Sequence, residues 1–320
     1  MNRFFLPLAL ALILSSCLKD ELPVPVHERG DGRITEVCMG TSYQDQLWMD
    51  IGTGSVVATN LKTAWDLAFE SSPNGWRVQL NGSRLMTAWD RGVLDLAQPL
   101  DTVGMFAGRR IDAPSGVPDS TAIGDWRGSD HVFIIDLGYT ALGEWLGLRK
   151  VRLTSVDAVR YTFSSARLDG SDVVATIVPK DPTRDFTCYS FIQGVVPIEP
   201  THGTWDLVFT QYTHQFYVPF LPYIVTGVLS SPRTRIAVVR NADFADLSLG
   251  DTLQYPFEDR RDAIGYLWKT YSFETSSYTI DASLSYIIQD GEGYFHKVRF
   301  LEYYSDQGQV GCPRFETEPL

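Results

Sequence analysis

A five-residue phrase occurs twice in this chain: Trp65-Asp66-Leu67-Ala68-Phe69 returns as Trp205-Asp206-Leu207-Val208-Phe209. Three further landmarks follow in the same order. Ile123-Gly124-Asp125-Trp126 is echoed by Ile264-Gly265-Tyr266-Leu267-Trp268, and Phe133-Ile134-Ile135-Asp136 by Tyr286-Ile287-Ile288-Gln289. Arg149-Lys150-Val151-Arg152-Leu153 is echoed by His296-Lys297-Val298-Arg299-Phe300. Self-similarity at one long period, here about 140 residues, is the mark of a structural unit written twice. The repeat predicts a first unit over residues 41–178 and a second over 186–320, with the connection running through Pro179-Lys180-Asp181-Pro182.

Within each copy the apolar period is two, which is the period of strands. Alternation puts Trp65, Leu67 and Phe69 on one face and Asp66 and Ala68 on the other; it likewise sets Tyr294, His296, Val298 and Phe300 against Phe295, Lys297, Arg299 and Leu301. Asn74-Gly75, Asn81-Gly82, Asp169-Gly170 and Asp290-Gly291 punctuate these runs as hairpin turns do. No long amphipathic helix is visible after the first residues, and one helical turn is expected near Arg260 to Leu267. The expectation is an antiparallel all-β fold with little helix. Because Asp66 and Asp206 recur beside the tryptophans, they read as structural hydrogen-bond acceptors, and Trp65 and Trp205 as core.

The N-terminus carries a different signal. Met-Asn-Arg, an apolar run from Phe4 to Leu14, and then Ser15-Ser16-Cys17 follow the order of a secretory signal peptide over residues 1–16. Leu14-Ser15-Ser16-Cys17 resembles a lipobox, so Cys17 is the expected lipid anchor; residues 17–40 are read as anchor and tether. Several acyl chains on one cysteine hold a protein stably at a membrane. Leu18-Lys19-Asp20-Glu21 resembles the signal that sends certain Gram-negative lipoproteins to the outer face of the outer membrane.

The net charge of −12 disfavours nucleic acid, whose binding needs a basic face to release counterions. Beyond Cys17, only Cys38, Cys188 and Cys312 remain, without the spacing of a zinc site. Outside the cell one disulfide among these three is allowed, with the pairing left open. The sequence has no Gly-x-Ser-x-Gly, no His-Glu-x-x-His and no Walker loop. Gly52-Thr53-Gly54 reads as a hairpin turn, so no enzyme is expected.

The Trp-Asp-Leu-Ala-Phe strand and the run Ser285-Tyr286-Ile287-Ile288-Gln289-Asp290-Gly291-Glu292-Gly293-Tyr294-Phe295-His296-Lys297-Val298-Arg299-Phe300-Leu301-Glu302-Tyr303-Tyr304 resemble the HmuY family. The second copy carries the closer likeness. The resemblance implies an all-β surface lipoprotein that binds haem outside the cell and hands it to an outer-membrane transporter. The alternative is a non-haem module serving a transporter, a glycan or a protein partner.

Haem needs axial donors in an aromatic cleft. The histidines are His27, His131, His202, His214 and His296, and no two of them align with the family's ligand pair. His214 lies among Tyr212, Phe216, Tyr217, Phe220 and Tyr223, enough aromatic surface to cover a flat ring. His296 sits on the apolar face of its strand. These two are the candidate haem ligands, with Met86 and Met105 as substitutes in the first copy. Arg149 stands where a second His296 would be, so equal haem sites in both copies are not expected.

Overall fold

In the computed structural model, residues 31–105 and 107–320 are described, and they form one compact body. Signal peptide, Cys17, export motif and His27 lie outside them. Among the described residues, twenty strands follow one another. The first seven are β1 (Arg33–Glu36), β2 (Asp45–Asp50), β3 (Ser55–Leu61), β4 (Leu67–Glu70), β5 (Val78–Leu80), β6 (Thr87–Asp90) and β7 (Phe133–Asp136). Then follow β8 (Leu148–Val156), β9 (Arg160–Ala166), β10 (Val174–Pro179), β11 (Phe186–Ser190), β12 (Gly194–Val196), β13 (Leu207–Tyr217) and β14 (Phe220–Ser230). The last six are β15 (Arg235–Arg240), β16 (Lys269–Ser272), β17 (Ser277–Ile280), β18 (Leu284–Gln289), β19 (Phe295–Tyr304) and β20 (Val310–Pro319).

All pairings of these strands are antiparallel, and the fold is all-β. The only helical pieces among the described residues are short 3₁₀ segments at Gly82–Arg84, Pro118–Ser120 and Leu249–Leu253. The helical turn expected at Arg260–Leu267 is instead a chain of turns whose Gly265 bridges to Val228 on the edge of β14.

Two sheets have five strands, ordered β10-β9-β8-β7-β6 and β1-β20-β19-β18-β15; two have four, ordered β12-β11-β4-β5 and β3-β2-β13-β14. Read pairwise, the orders match strand for strand if the second set starts at β13 and finishes with β1, β2 and β3. The expected division of the chain at 178–186 is therefore not where the sheets divide. The β2–β3 hairpin pairs with β13 of the second copy, through Met49↔Leu207, while β11 pairs back onto β4 through Tyr189↔Leu67. Alternation reveals which face a strand buries but not its partner, so this closing of the ring is invisible in the repeat.

The chain ends replace a turn. Where β9 runs into β10 through Asp169-Gly170, β20 and β1 are separate segments, and the disulfide Cys38–Cys312 joins them. Among the described residues Cys188, on β11, is the remaining free thiol; it is buried, and burial pushes its pKa up. Iodoacetamide on the native chain is expected to spare Cys38, Cys188 and Cys312, and in urea without reductant to label Cys188 alone. Peptide mass spectrometry reads this, and a labelled Cys38 or Cys312 would refute the pairing.

Three cores fill the layers. Leu67, Phe69, Trp126, Ile135 and Phe163 pack inside the first sandwich, and Leu207, Phe209, Trp268, Ile288 and Phe315 inside the second. Between the four-stranded sheets lies a third core containing Ala68, Val208, Trp48, Trp205 and Cys188, with Trp65 packed against it. The two repeated tryptophans therefore share one environment, but on the side of Ala68 and Val208. Alternation had put Trp65 with Leu67 and Phe69; it fails there because β4 begins only at Leu67.

The repeated aspartates serve as equivalent knots. Asp66 accepts from the backbone N–H of Phe191, just past β11, at 2.7 Å and from the buried Arg84 guanidinium. Asp206 accepts from Ile51 N–H, just past β2, at 3.0 Å, from Gly291 N–H at 2.9 Å and from Thr234 Oγ1 at 3.0 Å. The repeated lysines are also structural. Lys150 Nζ donates to the carbonyls of Leu96 and Gln98, and Lys297 Nζ to Phe244 O and to Glu318. Each lysine thus ties a loop over the outer face of its five-stranded sheet, where an unpaired ammonium would be costly.

Candidate ligand-binding site

One hairpin differs sharply in length between the two copies. β5 is three residues long, whereas its counterpart β14 and the partner β13 run for eleven residues each, paired from Leu207↔Ser230 to Tyr217↔Phe220. β2 pairs only with Leu207 to Phe209 of β13, so most of the ribbon extends past its sheet. Its tip is apolar and solvent-facing: Tyr217 is 76% and Phe220 66% exposed, with Val218, Leu221 and Tyr223 exposed beside them.

His214 lies midway along this ribbon, opposite Tyr223. Its ring contacts Phe216 and Tyr266 edge-on, at centroid separations of 5.0 and 5.1 Å. Phe216 in turn meets Tyr223 and Tyr266. A cleft of about 270 Å³ opens next to His214 and is also lined by Tyr212, Arg240, Arg260, Asp262 and Tyr286. Burial lowers the His214 pKa, against the opposing pull of Asp262, so the imidazole is neutral at pH 7 with a lone pair to offer. Burial raises the phenols of Tyr212 and Tyr266, which stay protonated. Arg260 is held by Asp262 at 3.0 Å and Glu258 at 3.7 Å.

His296 is in a different place. It is 5% exposed, pairs with Ile288 across the sheet, and shares a hydrogen bond between Nε2 and Asp290 Oδ2 at 2.8 Å. Burial alone would raise the Asp290 pKa, but this bond and the N–H groups of Tyr294 and Glu292 hold it lower. The neighbouring Gly291 N–H binds Asp206, at the start of β13. His214 is eight residues beyond Asp206, roughly 26 Å at the rise of a strand. Two axial donors of one iron must sit roughly 4 Å apart, twice a metal–nitrogen bond. The structure thus does not bring His214 and His296 to one ligand. Met86 and Met105 are core residues, 1% and 3% exposed. His131 pairs with Asp90, and His202 faces the Pro182 carbonyl. Among the described residues no cluster of three His, Cys, Asp or Glu stands ready to hold a bare metal ion.

The sequence pointed to His214 through its aromatic neighbours but missed Arg240 and Arg260, which reach the cleft from β15 and from the turns before β16; Tyr286 on β18 stood in an echoed landmark. Tyr266 had a visible signal, since it lies in the echoed Ile264-Gly265-Tyr266-Leu267-Trp268. For a flat, acid-bearing ring, these residues supply one neutral nitrogen, aromatic edges and nearby guanidinium groups. No helix of the described residues is long and apolar enough to cross a membrane.

No curated protein matches the chain. Among solved structures, it is similar to a putative HmuY-like heme binding protein from Bacteroides vulgatus ATCC 8482, with 14% identity over 53% of this chain and 91% of that one, TM-score 0.24. Apo PinO from Porphyromonas gingivitis is 8% identical over 91% of this chain and 98% of its own, TM-score 0.28. The Tannerella forsythia apo HmuY analog is 10% identical over 54% of this chain and 97% of its own, TM-score 0.20. The family model described as HmuY protein matches residues 42–316, nearly the whole described body, and the chain belongs to the HmuY family.

Proposed function

We propose that this chain is a lipid-anchored protein of the outer-membrane surface that binds haem or a close tetrapyrrole on the β13–β14 ribbon, with His214 as axial donor, for uptake through an outer-membrane transporter. The observation that carries the reading is a neutral imidazole set among Phe216, Tyr223 and Tyr266 on a protruding apolar ribbon. The 270 Å³ cleft lies below the usual 300–1,000 Å³ of enclosed ligand sites. A ring bound here therefore rests on the open face of the ribbon, held through one nitrogen. Bound haem would supply the iron that this nitrogen ligates, while Arg240 and Arg260 stand within the same cleft to meet its carboxylates.

The Arg33 guanidinium, at the head of β1, donates to the carbonyls of Gly52 and Thr53, next to the Asp206 end of β13. The ribbon tip is eleven residues away, roughly 36 Å along the strand. Within the described residues, the head of β1 thus lies near one end of β13 and the aromatic tip at the other.

The test is titration of the purified protein with haemin. A saturable Soret shift at one equivalent is expected. Flat absorbance, with a membrane transporter co-purifying, would move the assignment to a module that kept the fold without haem; the single donor in the cleft favours that second reading.

A further inference from the structure

We propose that the first sandwich carries a separate binding site for an amphipathic carboxylate, an organic acid with an apolar body, in the cleft between the β7–β8 loop and the β11–β12 turn. The cleft has a volume of about 650 Å³ and its lining includes Arg84, Arg149 and Arg167 together with Leu146, Phe191 and Ile192. Nothing in the reading of His214 uses it.

The charge arrangement points to an acid. Arg84 is 6% exposed; its Nη1 is spent on Asp66 and the Trp65 carbonyl, but its Nε is buried without a partner. A buried N–H left unpaired costs about 1–3 kcal/mol, which an entering oxygen would recover. Arg149 and Arg167 converge on one carboxylate, Asp172, at 3.2 and 3.8 Å, while Asp169 acts on Arg167 only through its charge, so part of each guanidinium fork stays free of a carboxylate hydrogen bond. Asp169, the other acid at this end of the cleft, is engaged by the N–H and hydroxyl of Ser171. Guanidinium pairs recognise carboxylates through two parallel hydrogen bonds.

The rest of the cleft points to an apolar body. Arg149 lies 5.1 Å over the Phe191 ring, which fixes its fork beside an aromatic face. Ile192 is 91% exposed at the turn, and Leu137, Leu146 and Leu148 line the cleft from the β7–β8 side. Apolar side chains and basic groups in one cleft match a molecule with a greasy end and a carboxylate head.

The experiment is fluorescence titration of the full chain with dansyl-undecanoic acid, its methyl ester, and haemin in parallel. The acid is expected to bind saturably and the ester at least tenfold more weakly. Arg149→Gln with Arg167→Gln should weaken the acid by tenfold or more at unchanged melting temperature, and Arg167→Gln alone, on a mostly exposed side chain, should weaken it in the same direction. His214→Ala should leave the acid's affinity unaltered. Equal binding of acid and ester, or full affinity in the double arginine variant, overturns the proposal. If the arginine variant loses the haemin Soret band while His214→Ala keeps it, the carboxylate cleft stands and the siting of haem at His214 falls.

Discussion

Replacing Asp206 by alanine is expected to lower the unfolding free energy by about 4 kcal/mol, read from urea denaturation followed by tryptophan fluorescence. The carboxylate is 5% exposed and satisfies three donors from three segments: Ile51 N–H after β2, Gly291 N–H in the β18–β19 turn and Thr234 Oγ1 before β15. Each donor left buried and unpaired costs about 1–3 kcal/mol, and partial access of water to the turn trims the total. Asp206→Asn keeps one acceptor oxygen and should lose about half as much. Asp66→Ala should cost a similar amount for another reason, because it strands the Arg84 guanidinium without its counter-charge; breaking such a buried pair costs about 3–5 kcal/mol. A shift below 1 kcal/mol in Asp206→Ala would mean that the knot does not hold the segments together. Unchanged m-values would show that only stability moved.

That the two aspartates are knots was legible before any coordinates, because a carboxylate repeated beside a repeated tryptophan is easier to explain by packing than by chemistry. The all-β class was legible too, since the apolar residues recur at the period of two that strands have and are punctuated by Asn-Gly and Asp-Gly turns. Strand partners were not. Which strand lies beside β13 depends on the closing of the ring through β1, β2 and β3, and nothing in the composition of Asp45 to Asp50 says that it belongs with residues 150 further on. The role of Lys150 and Lys297 was equally hidden: both are covered by loops whose carbonyls they bind, and the repeat shows neither loop. His296 shared the apolar face with Val298, and only the hydrogen bond to Asp290 shows it occupied in a turn rather than aimed at a ligand.

The site was half legible for a related reason. Local sequence shows a histidine among aromatics on one strand, and the ribbon does hold His214 with Phe216 and Tyr223. The guanidinium and phenol groups that complete the cleft come from β15, β18 and the turns before β16, so their convergence is a property of the fold alone. The length of the ribbon was equally hidden, because Gln211 to Gln215 carries no turn residue to mark where the sheet stops and the projection begins.

His214→Ala is expected to weaken haemin binding about 100-fold, roughly 2.7 kcal/mol, and to replace the ligated Soret band by that of loosely adsorbed haemin. The loss is large because the cleft offers no second neutral donor: burial keeps Tyr212 and Tyr266 protonated, and an arginine donates but does not ligate. Phe216→Ala should cost less, about tenfold, by removing one aromatic wall and leaving the nitrogen. His296→Ala separates stability from binding, since it should unsettle the Asp290 turn without altering the Soret maximum. Acidity supplies an independent check. Iron and a proton compete for the same lone pair, and because the His214 pKa lies below the ordinary 6.5, ligation should survive down to that value and be lost only at lower pH, as the imidazole charges. Loss centred well above pH 6.5 would point to a different group, and a Soret band untouched in His214→Ala would place the ligand away from the ribbon altogether.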